Sequence, residues 1–225
     1  MKEIVVLQVQ DVVINQKSMF RPIQQIIEKM NFEGISLARK EEVQLLIDFI
    51  QTKKRNGEEI HLNFICTHNS RRSQFSQVWA KVASCYYSIP TFCYSGGVEV
   101  TAFNERAVNS LKRFGFQIEE EGSENPHYLI YFNDKKDKIS AYSKLFDAIG
   151  NPTSGFAAIM TCSHADENCP YVPGCEKRIP IRYEDPKEFD DTPLENALYD
   201  YRSFEIATEL SIKIHQWPRF GKWRI

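Results

Sequence analysis

The run Ile60-His61-Leu62-Asn63-Phe64-Ile65 alternates apolar and polar positions, stops at Cys66, and gives way to the polar stretch Thr67-His68-Asn69-Ser70-Arg71-Arg72-Ser73. Phe75, Val78, Trp79 and Val82 then follow at helical spacing. A strand that passes through a short polar loop straight into a helix is the first half of a strand–helix–strand unit, so the chain is directed toward folds with a parallel sheet. The same segment puts a thiol where loop N–H groups and the positive end of a helix dipole converge, a place that holds an anion and makes a nucleophile of the sulfur. Arg72, six residues after Cys66, can grip a tetrahedral oxyanion through two parallel N–H bonds.

The alternation of strand, loop and helix continues downstream. A second short strand is expected at Thr91-Phe92-Cys93-Tyr94, a turn at Ser95-Gly96-Gly97, and a helix with Ala107, Val108 and Leu111 that closes at Gly115. The continuous apolar run Phe156-Ala157-Ala158-Ile159-Met160-Thr161, ending at Cys162, reads as a central strand buried on both faces. Residues 127–142 read as an inserted hairpin decorating an edge, two apolar runs around a polar turn. Thr192-Pro193-Leu194-Glu195 supplies an N-cap, an N1 proline and an N3 glutamate ahead of a long helix to about Gln216.

Upstream, one helical pattern opens at Arg21-Pro22 with Ile23, Ile26, Ile27 and Met30, and another carries Val43, Leu46, Ile47 and Ile50. The first 18 residues look strand-like with no evident partner, and Met19 is a second candidate start. The expected class is therefore α/β, a three-layer α/β/α arrangement around a central parallel sheet of about four strands. A helical extension is expected over residues 1–58 and the main domain over 59–225.

A net charge of −2 gives no support for a nucleic-acid or membrane-surface role. Lys53-Lys54-Arg55 and Lys135-Lys136 lie beside acidic residues and read as solvated turns. No apolar stretch approaches the ~20 residues of a membrane span, and Ile4 to Asp11 lacks the apolar core and cleavage site of a signal peptide, so a cytoplasmic location is expected. The six cysteines, at 66, 85, 93, 162, 169 and 175, are too few for a disulfide scaffold and suit catalytic, redox or metal-binding thiols. Cys85 and Cys93 read as packing thiols and Cys175 as a loop bystander. Cys162, His164, Cys169 and Cys175 leave a zinc site as one alternative, disfavoured because no Cys-x2-Cys pair is present. Trp217, Phe220 and Trp223 in the tail read as packing residues before a partner surface.

With these placements made, Cys66-Thr67-His68-Asn69-Ser70-Arg71-Arg72-Ser73 resembles the phosphate loop of the low-molecular-weight protein tyrosine phosphatase superfamily, whose members share Cys, Asn, Arg and Ser at these positions. Tyr94-Ser95-Gly96-Gly97, the helix after it, and Asp185-Pro186 match in order, and the similarity covers about residues 60–217. Cys162 and Cys169, in Thr161-Cys162-Ser163-His164-Ala165-Asp166-Glu167-Asn168-Cys169-Pro170, resemble the redox pair of thioredoxin-coupled arsenate reductases in spacing and following proline. Ordinary phosphatases of the superfamily lack that pair.

The resemblance implies that Cys66 attacks an arsenate or phosphate-ester substrate held by the N–H groups of residues 67–72 and by Arg72. It also implies that Asn69 shapes the loop, that Ser73 donates to the sulfur, and that Asp185 rather than Glu184 is the general acid. It implies an arsenate reductase with a Cys66, Cys162 and Cys169 relay recharged by thioredoxin, with no cofactor or metal. A phosphatase working through a phosphocysteine is the alternative, and a non-catalytic thiol sensor or metal-binding adaptor is the third reading. Several positions depart from the relatives. Arg71 stands where many members have a second loop cysteine. Gln77 stands where some reductases carry an acidic residue that helps bind potassium, which leaves that ion site in doubt. Residues 1–58 and 127–142 have no counterpart in the small reductases. His68 either adds positive charge near the oxyanion or faces solvent.

Overall fold

A computed structural model describes residues 18–134, 137–168 and 171–211, with only the backbone of residue 168. The strand-like start, Lys135-Lys136, Cys169 and the aromatic tail lie outside these residues. In chain order the elements are α1 (Arg21–Glu28), α2 (Leu37–Asn56), β1 (His61–Cys66), α3 (Arg72–Tyr86), β2 (Phe92–Gly97), α4 (Glu105–Arg113), β3 (Gln117–Glu121), β4 (His127–Tyr131), β5 (Lys138–Ala141), β6 (Phe156–Met160), α5 (Ser163–Asn168), β7 (Cys175–Pro180), a 3-10 turn (Pro186–Phe189) and α6 (Glu195–Ser211).

Four parallel strands form the central sheet in the order β2-β1-β6-β7. The period of two along β1 and β6 divides the core. Leu62, Phe64, Ala157 and Ile159 join the larger buried cluster with apolar residues of α1, α2, α3, α4 and α6. Ile65, Phe156, Ala158 and Met160 face a smaller cluster closed by Ala165 of α5, Val98, Phe146 and Val172. Helices thus flank the sheet on both faces, as expected, but one of the two layers is thin. Among the described residues no helix is long and apolar enough to cross a membrane.

The N-terminal helices are tied in by ion pairs as well as by packing. Arg39 of α2 donates from Nε and a terminal nitrogen to the Glu209 carboxylate of α6, both at 2.8 Å. Lys53 is buried in the last turn of α2 and bridges Glu58 at 2.6 Å and Glu176 at 2.7 Å. That corrects the expectation of a solvated turn at Lys53-Lys54-Arg55, because a cation next to acidic residues in sequence also has an acidic partner on β7.

Four further expectations change. The expected hairpin is present as β4 and β5, and Gln117–Glu121 joins it as a third antiparallel strand, order β3-β4-β5, with most side chains exposed and Glu119 accepting from the Tyr131 hydroxyl at 2.9 Å. Cys175 is no loop bystander: it opens β7, the edge strand of the central sheet. Ser95-Gly96-Gly97 does not turn the chain but continues β2 opposite Phe64, Ile65 and Cys66. The last helix starts at Glu195, whose carboxylate accepts from the Asp191 N–H at 2.7 Å and from Arg106 at 2.6 Å, one residue ahead of the Thr192 amide of a capping box.

Candidate active site

Cys66 ends β1 and is 3% exposed, with its sulfur 3.1 Å from the Ser73 hydroxyl oxygen. Asn69 Nδ2 donates to that same oxygen at 2.8 Å, which leaves the Ser73 proton to point at the sulfur. Asn69 has φ +47°, a left-handed conformation that asparagine tolerates, and its Oδ1 accepts the Lys144 N–H at 3.0 Å.

Every carbonyl from residue 66 to residue 71 is turned outward and accepts a hydrogen bond. Val98 N–H donates to Cys66 O, Glu99 N–H to Thr67 O, the Ser143 hydroxyl to His68 O, Gln74 Nε2 to Asn69 O, Asn104 N–H to Ser70 O, and Phe75 N–H to Arg71 O. By contrast, none of the backbone N–H groups of residues 67–72 donates to a protein acceptor among the described residues. Backbone N–H groups are rarely left so, and six on one loop are the arrangement an anion cradle requires.

Arg72 opens α3 and reaches back over the loop. One terminal nitrogen donates to Tyr183 O at 3.1 Å and the other to Asp185 Oδ2 at 2.7 Å, while its buried Nε has no partner among the described residues. Asp185 also caps the 3-10 turn, its Oδ1 accepting from the Lys187 N–H at 3.1 Å. The fold therefore brings the candidate acid to the candidate anion-binding arginine across more than a hundred residues.

The side chain of Arg71 also reaches Asp185, its Nε 3.9 Å from Oδ1. That Nε donates to the Tyr199 hydroxyl at 2.8 Å and a terminal nitrogen lies 3.6 Å from Asp190, so the extra positive charge noted in the sequence is matched by Asp190 and Asp185. Burial and the bond to Asp190 hold the Tyr199 hydroxyl well above its usual titration range. His68 is half-exposed and pairs with Glu99 at 3.2 Å. Ser70 donates to Ala102 O at 2.7 Å. Gln77 accepts from the Ser95 hydroxyl at 2.6 Å.

Thr67 connects the loop to the second thiol. Its hydroxyl lies 3.5 Å from the Cys162 sulfur and 3.2 Å from His164 Nδ1. Cys162 is 1% exposed just past β6, and the Ala165 N–H donates to its sulfur at 3.4 Å. Because Ile65 pairs with Met160, the ends of β1 and β6 lie side by side and Cys66 and Cys162 share one buried cluster. The segment after Cys162 forms the short helix α5, pinned by Asp166 to Arg178 at 2.5 Å and Arg182 at 2.7 Å. Burial pushes the Cys93 thiol up to about 12 and raises Cys175 as well. Among the described residues no disulfide joins the cysteines, and no group of three His, Cys, Asp or Glu side chains is placed to hold a metal.

Glycine makes the loop possible by its lack of a side chain. A Cβ on Gly97 would lie 2.5 Å from Glu99 O, 2.7 Å from Asn69 N and 2.8 Å from Thr67 O, all backbone atoms of or beside the cradle. Gly97→Ala is expected to destabilise the protein by about 1–3 kcal/mol through overpacking and to weaken phosphate binding roughly tenfold, read by thermal melting and calorimetry. Little loss in either would mean that the cradle is not shaped by this contact. Lys144, Tyr199, Asp190 and Asn104, all partners of the loop or its arginines, carry no signal in the linear pattern.

No protein-family profile matches the chain. It is similar to an arsenate reductase of Halalkalibacterium halodurans, 27% identical over 159 residues that cover 71% of this chain and 95% of the relative. Arsenate reductase 2 of Staphylococcus epidermidis is 32% identical over 124 residues, 55% of this chain and 76% of the relative. Among solved structures, a low-molecular-weight phosphotyrosine phosphatase from Vibrio cholerae O395 aligns with a TM-score of 0.49 at 12% identity, over 72% of this chain and 99% of that one.

Proposed function

The chain belongs to the arsenate reductase family of the low-molecular-weight protein tyrosine phosphatase superfamily, and from this we propose that it reduces arsenate to arsenite through Cys66, Cys162 and Cys169. In this reading residues 59–225 are the catalytic unit and residues 1–58 its helical extension.

The loop N–H groups and Arg72 hold the oxyanion, and the Cys66 thiolate attacks arsenic while Asp185 delivers a proton to the departing oxygen, which leaves as water. The Cys162 thiolate then attacks the Cys66 sulfur. The sulfur–arsenic electron pair passes to arsenic, arsenite leaves, and a Cys66–Cys162 disulfide remains. Cys169 attacks Cys162, which frees Cys66 and moves the disulfide to Cys162–Cys169. A thioredoxin dithiol in a reducing cytoplasm restores the two thiols. One arsenic(V) gains the two electrons that two thiols lose.

The observation that carries this reading is the place of Cys162, buried beside Thr67 of the cradle and in one cluster with Cys66. Hydrolysis of a phosphate ester has no use for a thiol there. Moving Cys162 toward Cys169 requires local opening of α5, whose Asp166 ion pairs are the contacts to be broken.

Thiol mapping by mass spectrometry tests the relay. Arsenate added to fully reduced protein without thioredoxin should leave a disulfide between Cys162 and Cys169. Thiols that all stay reduced would overturn the proposal and leave phosphate-ester hydrolysis at Cys66 as the better account of the loop.

A further inference from the structure

A cavity of about 350 Å³ lies between α3, β2, β5 and the segment that follows β5. It falls in the size range of small-molecule sites. Lys81, Lys138 and Lys144 line it and no carboxylate does. Among the described residues none of these lysines pairs with an acidic side chain.

Lys144 is the most telling of the three. It is 8% exposed, with Nζ 4.6 Å from the centre of the Tyr142 ring, which also lines the cavity. Burial lowers its ammonium to about 8, so it is still largely charged at neutral pH. A buried cation in a cavity lined by two more lysines and no carboxylate is costly without a counter-charge, and the ring face offsets only a small part of that cost.

We propose that this cavity binds a small oligophosphate anion, held by Lys81, Lys138 and Lys144 at a site separate from the Cys66 loop. Occupancy of the site is felt at the loop. The Lys144 N–H donates to Asn69 Oδ1, its carbonyl accepts the Gly97 N–H at 2.8 Å, and Gln77, also in the lining, holds Ser95. The site does not depend on which reaction Cys66 performs.

The test uses pyrophosphate as probe and the full chain carrying Arg72→Ala, which weakens the Cys66 loop as a competing anion site. Calorimetry should show one equivalent bound, and adding Lys144→Met, or Lys81→Met with Lys138→Met, should lower the affinity by roughly tenfold or more. Absence of binding in Arg72→Ala, or affinity indifferent to the lysine changes, would overturn the proposal. Should Lys144→Met fail to fold by circular dichroism, acetylation of Lys144 in the unsubstituted chain at pH 8 is read by mass spectrometry. Pyrophosphate should then protect Lys144, and unaltered labelling at saturating pyrophosphate would count equally against the site.

Discussion

Cys66→Ser is expected to abolish turnover of arsenate and of phosphate esters alike, by ~10⁴-fold or more, about 5 kcal/mol of transition-state stabilisation. The serine keeps the size of the side chain and leaves the outward-facing carbonyls and the Asn69–Ser73 contact in place. Phosphate should therefore still bind within a few-fold of the parent affinity, which separates loss of the nucleophile from loss of the cradle. Cys162→Ser is the informative companion. It should lower multiple-turnover arsenate reduction by a similar factor while leaving p-nitrophenyl phosphate hydrolysis within about twofold, because only the step after the first adduct uses that sulfur. Equal loss of both activities in Cys162→Ser would assign Cys162 to the architecture of the site rather than to a relay.

Trp79→Ala carries the largest expected cost in stability, about 4 kcal/mol, from the range measured for removing large buried aromatics. Trp79 is 1% exposed on α3, meets Phe114 and Phe116 edge-on at 5.6 and 5.2 Å, and its Nε1–H donates to Ser203 of α6 at 2.9 Å. Truncation leaves a cavity and a buried hydroxyl that has lost its donor. For a chain of this size the melting temperature should fall by roughly 8–16 °C. The midpoint in urea should move without a change of slope, since the unfolded surface is the same. Trp79→Phe should cost less than half as much. A drop of under 1 kcal/mol for Trp79→Ala would show that α3 and α6 repack readily, and that the Cys66 loop is not braced from behind.

The parts of the molecule legible in the linear pattern are those in which burial is regular. β1 and β6 are buried along their whole length or nearly so, and their apolar runs announce them. The edge strands do not. Cys175 reads from the sequence as a loop residue because Cys175-Glu176-Lys177-Arg178 has no buried period, and residues 117–121 give no strand signal because Ile118 is their one apolar residue. Backbone hydrogen bonds, which any residue except proline donates, pair both strands with their neighbours, and their side-chain contacts, such as Lys53 with Glu176 and Tyr131 with Glu119, are made to distant or neighbouring elements and leave no period in the sequence. Gly96 and Gly97 show a different failure. They look like turn residues, but neither has positive φ. Their role is to let the Phe146 backbone and the Cys66 loop come within distances that a Cβ would forbid.

The candidate site divides in the same way. Cys66, Asn69, Arg72 and Ser73 are close in the chain, and a strand–loop–helix segment constrains their geometry locally, so residue order alone determined that an anion cradle with a thiol at its base would form there. That Asp185 meets Arg72, that Cys162 rests against Thr67, that Arg71 is matched by Tyr199 and Asp190, and that a buried lysine supports Asn69 were decided only by the tertiary structure. These contacts join residues from about 75 to almost 130 positions apart. Local propensity carries no information at that range, and the parallel pairing of β1 with β6 and the packing of α6 on α3 help bring the partners within bonding distance.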